Sequence, residues 1–222
     1  MFSELSGGYD RFNRFASLGL DGIWRGAVLD DVKLGMAVLD LGTGTGDLAF
    51  GALERVGPGG SVTGLDASPQ MLELARRRAA RVKDGSSIHW VNKLAEDLPL
   101  GSDRFDLIIS GFVLRNLRPN FDSILKGIRE SLQPGGTISF VDLTEPDNPV
   151  LQRLASLYFA SAVLLWGKLF FKSEKPIQYL RNSMRNFFRA RQFVEVLEKA
   201  GFKEIRVKRF LFGMVTHYRA RI

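Results

Sequence analysis

Two carboxylates and three alternating glycines fall close together in Asp40-Leu41-Gly42-Thr43-Gly44-Thr45-Gly46-Asp47, with a third carboxylate, Asp66, twenty-four positions beyond Gly42. Glycines at 42, 44 and 46 let the main chain approach a ligand with no Cβ in the way. A dinucleotide-binding turn needs G-x-G-x-x-G, with a pyrophosphate on the helix N-terminus. Here the sixth position is Asp47. An acid at the mouth of a helix repels a pyrophosphate and favours a ligand with a positive end. Asp40 adds a second acid at the end of the preceding strand. Asp66, at the tip of the next strand, is placed to accept both hydroxyls of a ribose. A nucleoside that carries an ammonium and a sulfonium, S-adenosylmethionine, satisfies this set better than NAD does.

The elements that position these groups follow from hydrophobic runs and turn residues. Apolar runs predict strands at Ala37 to Leu41, Ser61 to Leu65, Ile88 to Val91, Phe105 to Ser110 and Thr137 to Asp142. Between them, helices are predicted at 47 to 56, 70 to 82 and 121 to 132, the last ended by Pro134-Gly135-Gly136. Ser68 and Pro69 supply an N-cap and a first helical position, with Met71 and Leu72 facing the sheet. A helix from Gln192 to Ala200 is stopped by Gly201, and two strands near 202 to 209 and 212 to 221 follow. Alternating strands and helices specify a parallel sheet covered on both faces. The fold expected is α/β: a Rossmann-like, mostly parallel seven-stranded sheet closed by a C-terminal antiparallel hairpin.

At 222 residues and 45% hydrophobic content, the chain has enough apolar mass for one such domain. Residues 1–30 are read as a helical N-terminal cap and 149–190 as a helical substrate lid. Cysteine is absent, which excludes disulfides, thiolate metal sites and thiol nucleophiles. Two histidines, His89 and His217, cannot form a dedicated metal cage alone, so no metal is expected. The start Met1-Phe2-Ser3-Glu4 lacks the basic and apolar regions of a secretory signal.

The net charge of +7 is unevenly spread. Residues 150–222 hold fifteen Lys or Arg against four acids, which leaves the first 149 residues mildly acidic. Such a basic half is either a solvated face or attracted to an anionic membrane surface, at about 1 kcal/mol per nearby cation and in a salt-sensitive way. No nucleic-acid module accompanies it, so no nucleic-acid partner is expected. The apolar stretch Leu154 to Phe171 is about as long as a bilayer span but carries Lys168, and a span needs about 20 apolar residues with few charges. It is read as a lid or interfacial helix pair.

Beyond the glycine turn, several motifs together resemble the ubiquinone and menaquinone biosynthesis C-methyltransferases, within the class I S-adenosylmethionine-dependent superfamily. The motifs run through nearly the whole chain. They are Tyr9-Asp10 with Asn13, Trp24-Arg25, the turn from Asp40 to Asp47, Gly64-Leu65-Asp66-Ala67-Ser68 with Met71, and Ala95-Glu96-Asp97-Leu98-Pro99. The narrowest is Phe112-Val113-Leu114-Arg115-Asn116, where the family carries Phe-Gly-Leu-Arg-Asn. Further matches are Val141-Asp142-Leu143-Thr144-Glu145-Pro146, Tyr179-Leu180 with Ser183, and Gly213-Met214-Val215-Thr216-His217. Three positions depart from the pattern: Leu94 for an Asp that reads adenine, Val113 for Gly, and Asp142 for Glu.

The resemblance implies cofactor contacts from Asp40, Gly42, Thr43, Gly44, Gly46 and Asp66. It extends them to Ala67, Met71, Ala95, Glu96 and Ser110, with S-adenosylhomocysteine as the product. It implies methylation of a ring carbon on a lipophilic prenylated quinol, in the reduced form that alone has an electron-rich carbon. Another lipidic acceptor, a phospholipid amine or a natural-product phenol, is the alternative. Arg115 is expected to hold the developing phenolate by charge-assisted hydrogen bonding. Asn116 would orient a water or a ring oxygen, and the base is left open among a bound water, Tyr9 and His217. The enzyme is expected in the cytoplasm of a bacterium, on the inner face of the membrane, with a homodimer compatible.

Overall fold

A computed structural model describes residues 19–158 and 188–222. Its seven strands are β1 Ala37–Leu41, β2 Ser61–Asp66, β3 His89–Asn92, β4 Phe105–Gly111, β5 Leu132–Leu143, β6 Lys203–Phe210 and β7 Val215–Arg221. They lie in the order β3-β2-β1-β4-β5-β7-β6. The first five strands pair parallel, and β7 runs antiparallel to both β5 and β6. The sheet is therefore the mostly parallel, hairpin-closed one expected.

Both faces are covered, so the central strands are buried without alternation. Successive residues of β1 show this: Val38 packs with α1 Asp21–Leu29 and α2 Asp47–Val56, and Leu39 packs on the opposite face. The opposite face is closed by α5 Phe121–Ser131 and α7 Ala190–Lys199. In α5 the buried residues Phe121, Ile124, Leu125 and Ile128 recur every three or four positions, the stripe of a helix with one face on a core. Tyr218 of β7 meets Phe193 of α7 edge to face at 4.6 Å.

The remaining helices are α3 Pro69–Ala79, the single turn α4 Leu114–Leu117 and α6 Pro149–Tyr158. Ser68 caps α3 as its residue type predicts, its hydroxyl accepting from the Met71 amide at 3.3 Å, with Pro69 at the first position.

Two strand starts differ from the sequence reading by three or more residues. Strand β5 begins at Leu132 rather than Thr137, because Leu132 already pairs with Phe105 before Pro134-Gly135-Gly136 bulges out of register. Strand β7 begins at Val215 rather than 212, because Leu211 to Gly213 form a tight turn with Phe212 at φ 55°. Tyr9, most of the N-terminal cap, the lid from residue 159 to 187, and the matches at Tyr179, Leu180 and Ser183 lie outside the described residues.

Candidate functional site

The sheet order reverses between β1 and β4, and open α/β sheets bind ligands in the crevice at such a point. A cavity of about 520 Å³ lies there, within the size range of cofactor sites. The glycine turn forms its floor. Gly42 and Thr43 donate their amides to the Leu65 carbonyl at 2.8 and 2.9 Å, which ties the turn to the end of β2. Gly42 sits at φ 71°, and a Cβ there would come within 2.6 Å of both Val113 methyls, so the turn requires glycine on both counts.

Asp66 reaches the cavity with an orientation set by the backbone. Its Oδ2 accepts the Gly44 amide and its Oδ1 accepts the Ser68 amide, each at 2.8 Å. Each carboxylate oxygen has a second lone pair, so two ribose hydroxyls can still be received. Burial raises its pKa, although the two amides work against the rise.

Asp40 is deeper, at 1% exposure. Its Oδ2 accepts from the Thr43 hydroxyl at 2.6 Å, and its Oδ1 has no hydrogen-bond partner among the described residues. Burial pushes its pKa up to about 7, and the charge of Asp66 adds to the rise; the Ala49 amide offsets part of it without completing a hydrogen bond to Oδ1. A buried carboxylate with an open oxygen on the cavity floor is a receptor for positive charge. The residues present therefore fit S-adenosylmethionine: Asp66 could receive ribose hydroxyls, Asp40 could offset a positive group, and Ala67, Met71 and Ala95 also line the cavity.

Asp47 behaves differently from the expectation of an open acid at the helix mouth. Arg78 donates to its Oδ1 at 2.6 Å, and Arg25 lies 3.3 Å from its Oδ2, so two guanidinium groups offset its charge. Arg78 also donates to the Thr45 carbonyl at 2.9 Å and hydroxyl at 2.7 Å, and stacks over Phe50.

Several expected site residues lie elsewhere. Arg115 is buried, and its Nη1 donates to Asp142 Oδ1 at 2.6 Å and to the Phe112 carbonyl at 2.7 Å, while its amide donates to Asp142 Oδ2. That corrects the expectation that its guanidinium faces the acceptor: it braces the segment Phe112 to Asn116 against β5. Phe112, held at φ 62° by this bracing, lines the cavity with Val113, Asn116 and Leu117.

His217 is on the other side of α1, where its Nε2 lies 2.8 Å from Ser139 Oγ and 3.5 Å from Asp31 Oδ2. A proton relay needs serine and acid on opposite ring nitrogens, so this cluster is not one, and His217 does not line the cavity. Burial alone would raise the Asp31 pKa, but hydrogen bonds with His217 and Ser139 and the charge of Arg219 leave it lowered.

Ser110 donates to the Leu41 carbonyl at 2.7 Å beneath the turn. Glu96 accepts from Asn120 at 2.9 Å, outside the cavity. Gly46 is the left-handed N-cap of α2 and contributes shape only. Leu94 is exposed, its amide donating to Asp97. The cavity also takes in residues outside the sequence-derived set, among them Arg25, Ser68, Gln70, Phe112 and Val113. Arg25, Ser68, Phe112 and Val113 stood in the matched motifs without a site role assigned to them, and Gln70 stood in none.

Comparison with known proteins follows the same line. The ubiE/COQ5 methyltransferase family model matches residues 1–221. A demethylmenaquinone methyltransferase from Staphylococcus aureus is 34% identical over 216 residues, spanning 96% of this chain and 88% of the relative. In fold, the chain is similar to an S-adenosylmethionine-dependent methyltransferase from Aquifex aeolicus (TM-score 0.64, 19% identity, 89% of each chain). It is also similar to a possible histamine N-methyltransferase from Thermotoga maritima (TM-score 0.66, 20% identity, 99% of this chain and 97% of that one). With the family model matched over residues 1–221, the chain belongs to the ubiE/COQ5 methyltransferase family and is an S-adenosylmethionine-dependent methyltransferase.

Proposed function

We propose that this enzyme methylates a ring carbon of a prenylated demethylquinol on the route to menaquinone or ubiquinone. The observation that carries the reading is the 34% identity, over 96% of the chain, to a demethylmenaquinone methyltransferase. The cavity wall opposite Asp66 is compatible with a greasy aromatic acceptor. Phe112, Val113 and Leu117 offer apolar surface, and Asn116 is a polar group among them that can hydrogen-bond a ring oxygen.

The bound cofactor supplies an electrophilic methyl on a sulfonium. The protein's task is alignment and exclusion of water, since in-line displacement needs the ring carbon about 3 to 3.5 Å from that methyl. Loss of the neighbouring hydroxyl proton makes the ring carbon nucleophilic. Asp40 and Asp66 would hold the cofactor, which would supply its methyl to the ring carbon and depart as S-adenosylhomocysteine, the ring C–H proton passing to solvent. Asn116 orients the ring oxygen, and the Arg115–Asp142 pair keeps Asn116 and Val113 in place.

On this reading the enzyme meets its acceptor at a membrane surface, in a bacterium the cytoplasmic face. Lys203, Arg206 and Lys208 are exposed along β6 and add to the attraction of anionic lipid. No helix among the described residues is long and apolar enough to cross a membrane.

The test is mass spectrometry of methyl transfer to a panel of reduced demethylquinols, with phosphatidylethanolamine as an amine control. Gain of one methyl on a quinol, slowed about 10- to 100-fold in Asn116→Ala, is expected for a group that orients the reacting ring. Methylation of the amine alone would overturn the reading.

A further inference from the structure

We infer that Arg25 receives the α-carboxylate of the cofactor's amino-acid end. The cavity presents three carboxylates, Asp40, Asp47 and Asp66, and among the described residues that line it Arg25 is the one Lys, Arg or His. S-adenosylmethionine brings two positive groups and one negative one. The acids suit the ammonium, the sulfonium and the ribose hydroxyls, but they repel a carboxylate unless a cation stands beside it.

Arg25 is built to stand there. It lies on α1, outside the glycine motif, with its side chain 23% exposed at the cavity edge. Asp21, one helical turn earlier, accepts from its Nη1 at 2.6 Å and fixes the direction of the guanidinium. Its second contact is looser: Asp47 lies 3.3 Å from Nη2, while Arg78 holds the other Asp47 oxygen at 2.6 Å. A guanidinium has five N–H donors in a planar fork, more than these two acceptors use. Asp47, already held by Arg78, can stay in place while Arg25 turns a donor pair toward an incoming carboxylate. The pair of arginines thus divides its work, Arg78 securing the turn and Arg25 reading the ligand. The inference rests on cofactor binding and is independent of the acceptor.

Calorimetric titration of S-adenosylmethionine and of decarboxylated S-adenosylmethionine into the wild type, Arg25→Gln and Arg25→Lys tests it. Loss of a charge-assisted bond predicts that Arg25→Gln weakens the full cofactor about 10- to 100-fold. The decarboxylated ligand should change by less than about threefold, the range expected of uncoupled sites. Arg25→Lys, which keeps the charge and loses the fork, should recover part of the loss. Equal loss of both ligands would overturn the assignment and leave Arg25 a brace for Asp21 and Asp47. No loss of either would overturn it too, assigning the carboxylate to backbone amides at the start of α2.

Discussion

The two ends of the glycine turn carry the same residue in opposite electrostatic states. At the strand end, Asp40 is buried at the cavity floor with no cation beside it among the described residues, and burial pushes its pKa up to about 7. At the helix end, Asp47 is half-buried between Arg25 and Arg78. Seven residues apart, one acid stays receptive to an arriving positive charge, and the other is spent on holding the turn together. Read from sequence, both look like anionic attractors for a cationic ligand. The difference lies in what the tertiary fold brings to each.

Removal of Asp66 should have the largest effect on this arrangement, because it serves the ligand and the turn at once. Asp66→Ala is expected to weaken cofactor binding by about 2 to 5 kcal/mol, through the lost ribose contacts and the unpaired Gly44 and Ser68 amides. Isothermal titration calorimetry reads this directly, and an unchanged affinity would take the ribose away from Asp66.

The contrast between the two ends predicts a pH signature. The folded-state pKa of Asp40 is raised, so the native protein holds its proton between about pH 4 and 7 while the unfolded chain gives it up. Its contribution to stability is full below the unfolded value and falls as pH rises through 7, with a limiting slope of about 1.4 kcal/mol per pH unit. Urea denaturation of the ligand-free protein at a series of pH values should show this slope in the wild type and lose it in Asp40→Asn. Cofactor affinity should strengthen with pH over the same interval, since the cationic end favours the ionised form, and should be flat in the variant.

The compensated end should give the smallest response. Arg78→Gln removes a partly exposed pair and a stacked cation, a loss of about 1 kcal/mol by thermal unfolding. Asp47→Asn in that background should add little further, because the acid then has less to hold. A large additional loss would mean that Asp47 holds the turn through Arg25 as well.

Local sequence was enough to read β1, the turn, α2 and the cap of α3, because each depends on neighbours a few residues away: an apolar run, glycines that need positive φ, a serine before a proline. What escaped it depends on strands that meet across the sheet. Arg115 and Asp142 are 27 positions apart and pair because β4 and β5 are parallel neighbours, so a residue type suited to holding a phenolate is consumed by a buried ion pair. Asp31 meets His217 because α1 lies over β7, and no spacing in the chain announces it. Ser110 points into the layer beneath the turn rather than the cavity because its hydroxyl finds the Leu41 carbonyl. Arg25 was legible only as part of a motif, and its chemistry emerged once α1 was seen to bring it to Asp47.

Among the described residues, the two outermost strands, β3 and β6, pair on one side only and leave backbone donors and acceptors along the other. Strand β3 limits that exposure by being four residues long, and β6 by lining its eight-residue length with Lys203, Arg206, Lys208 and Arg209. A second molecule approaching β6 edge to edge would set cations against cations, which disfavours sheet extension and the aggregation it seeds. Whatever else the basic C-terminal segment attracts, its cations on β6 disfavour the joining of sheets between copies, and replacing them with Val or Thr is expected to raise aggregation, read by light scattering.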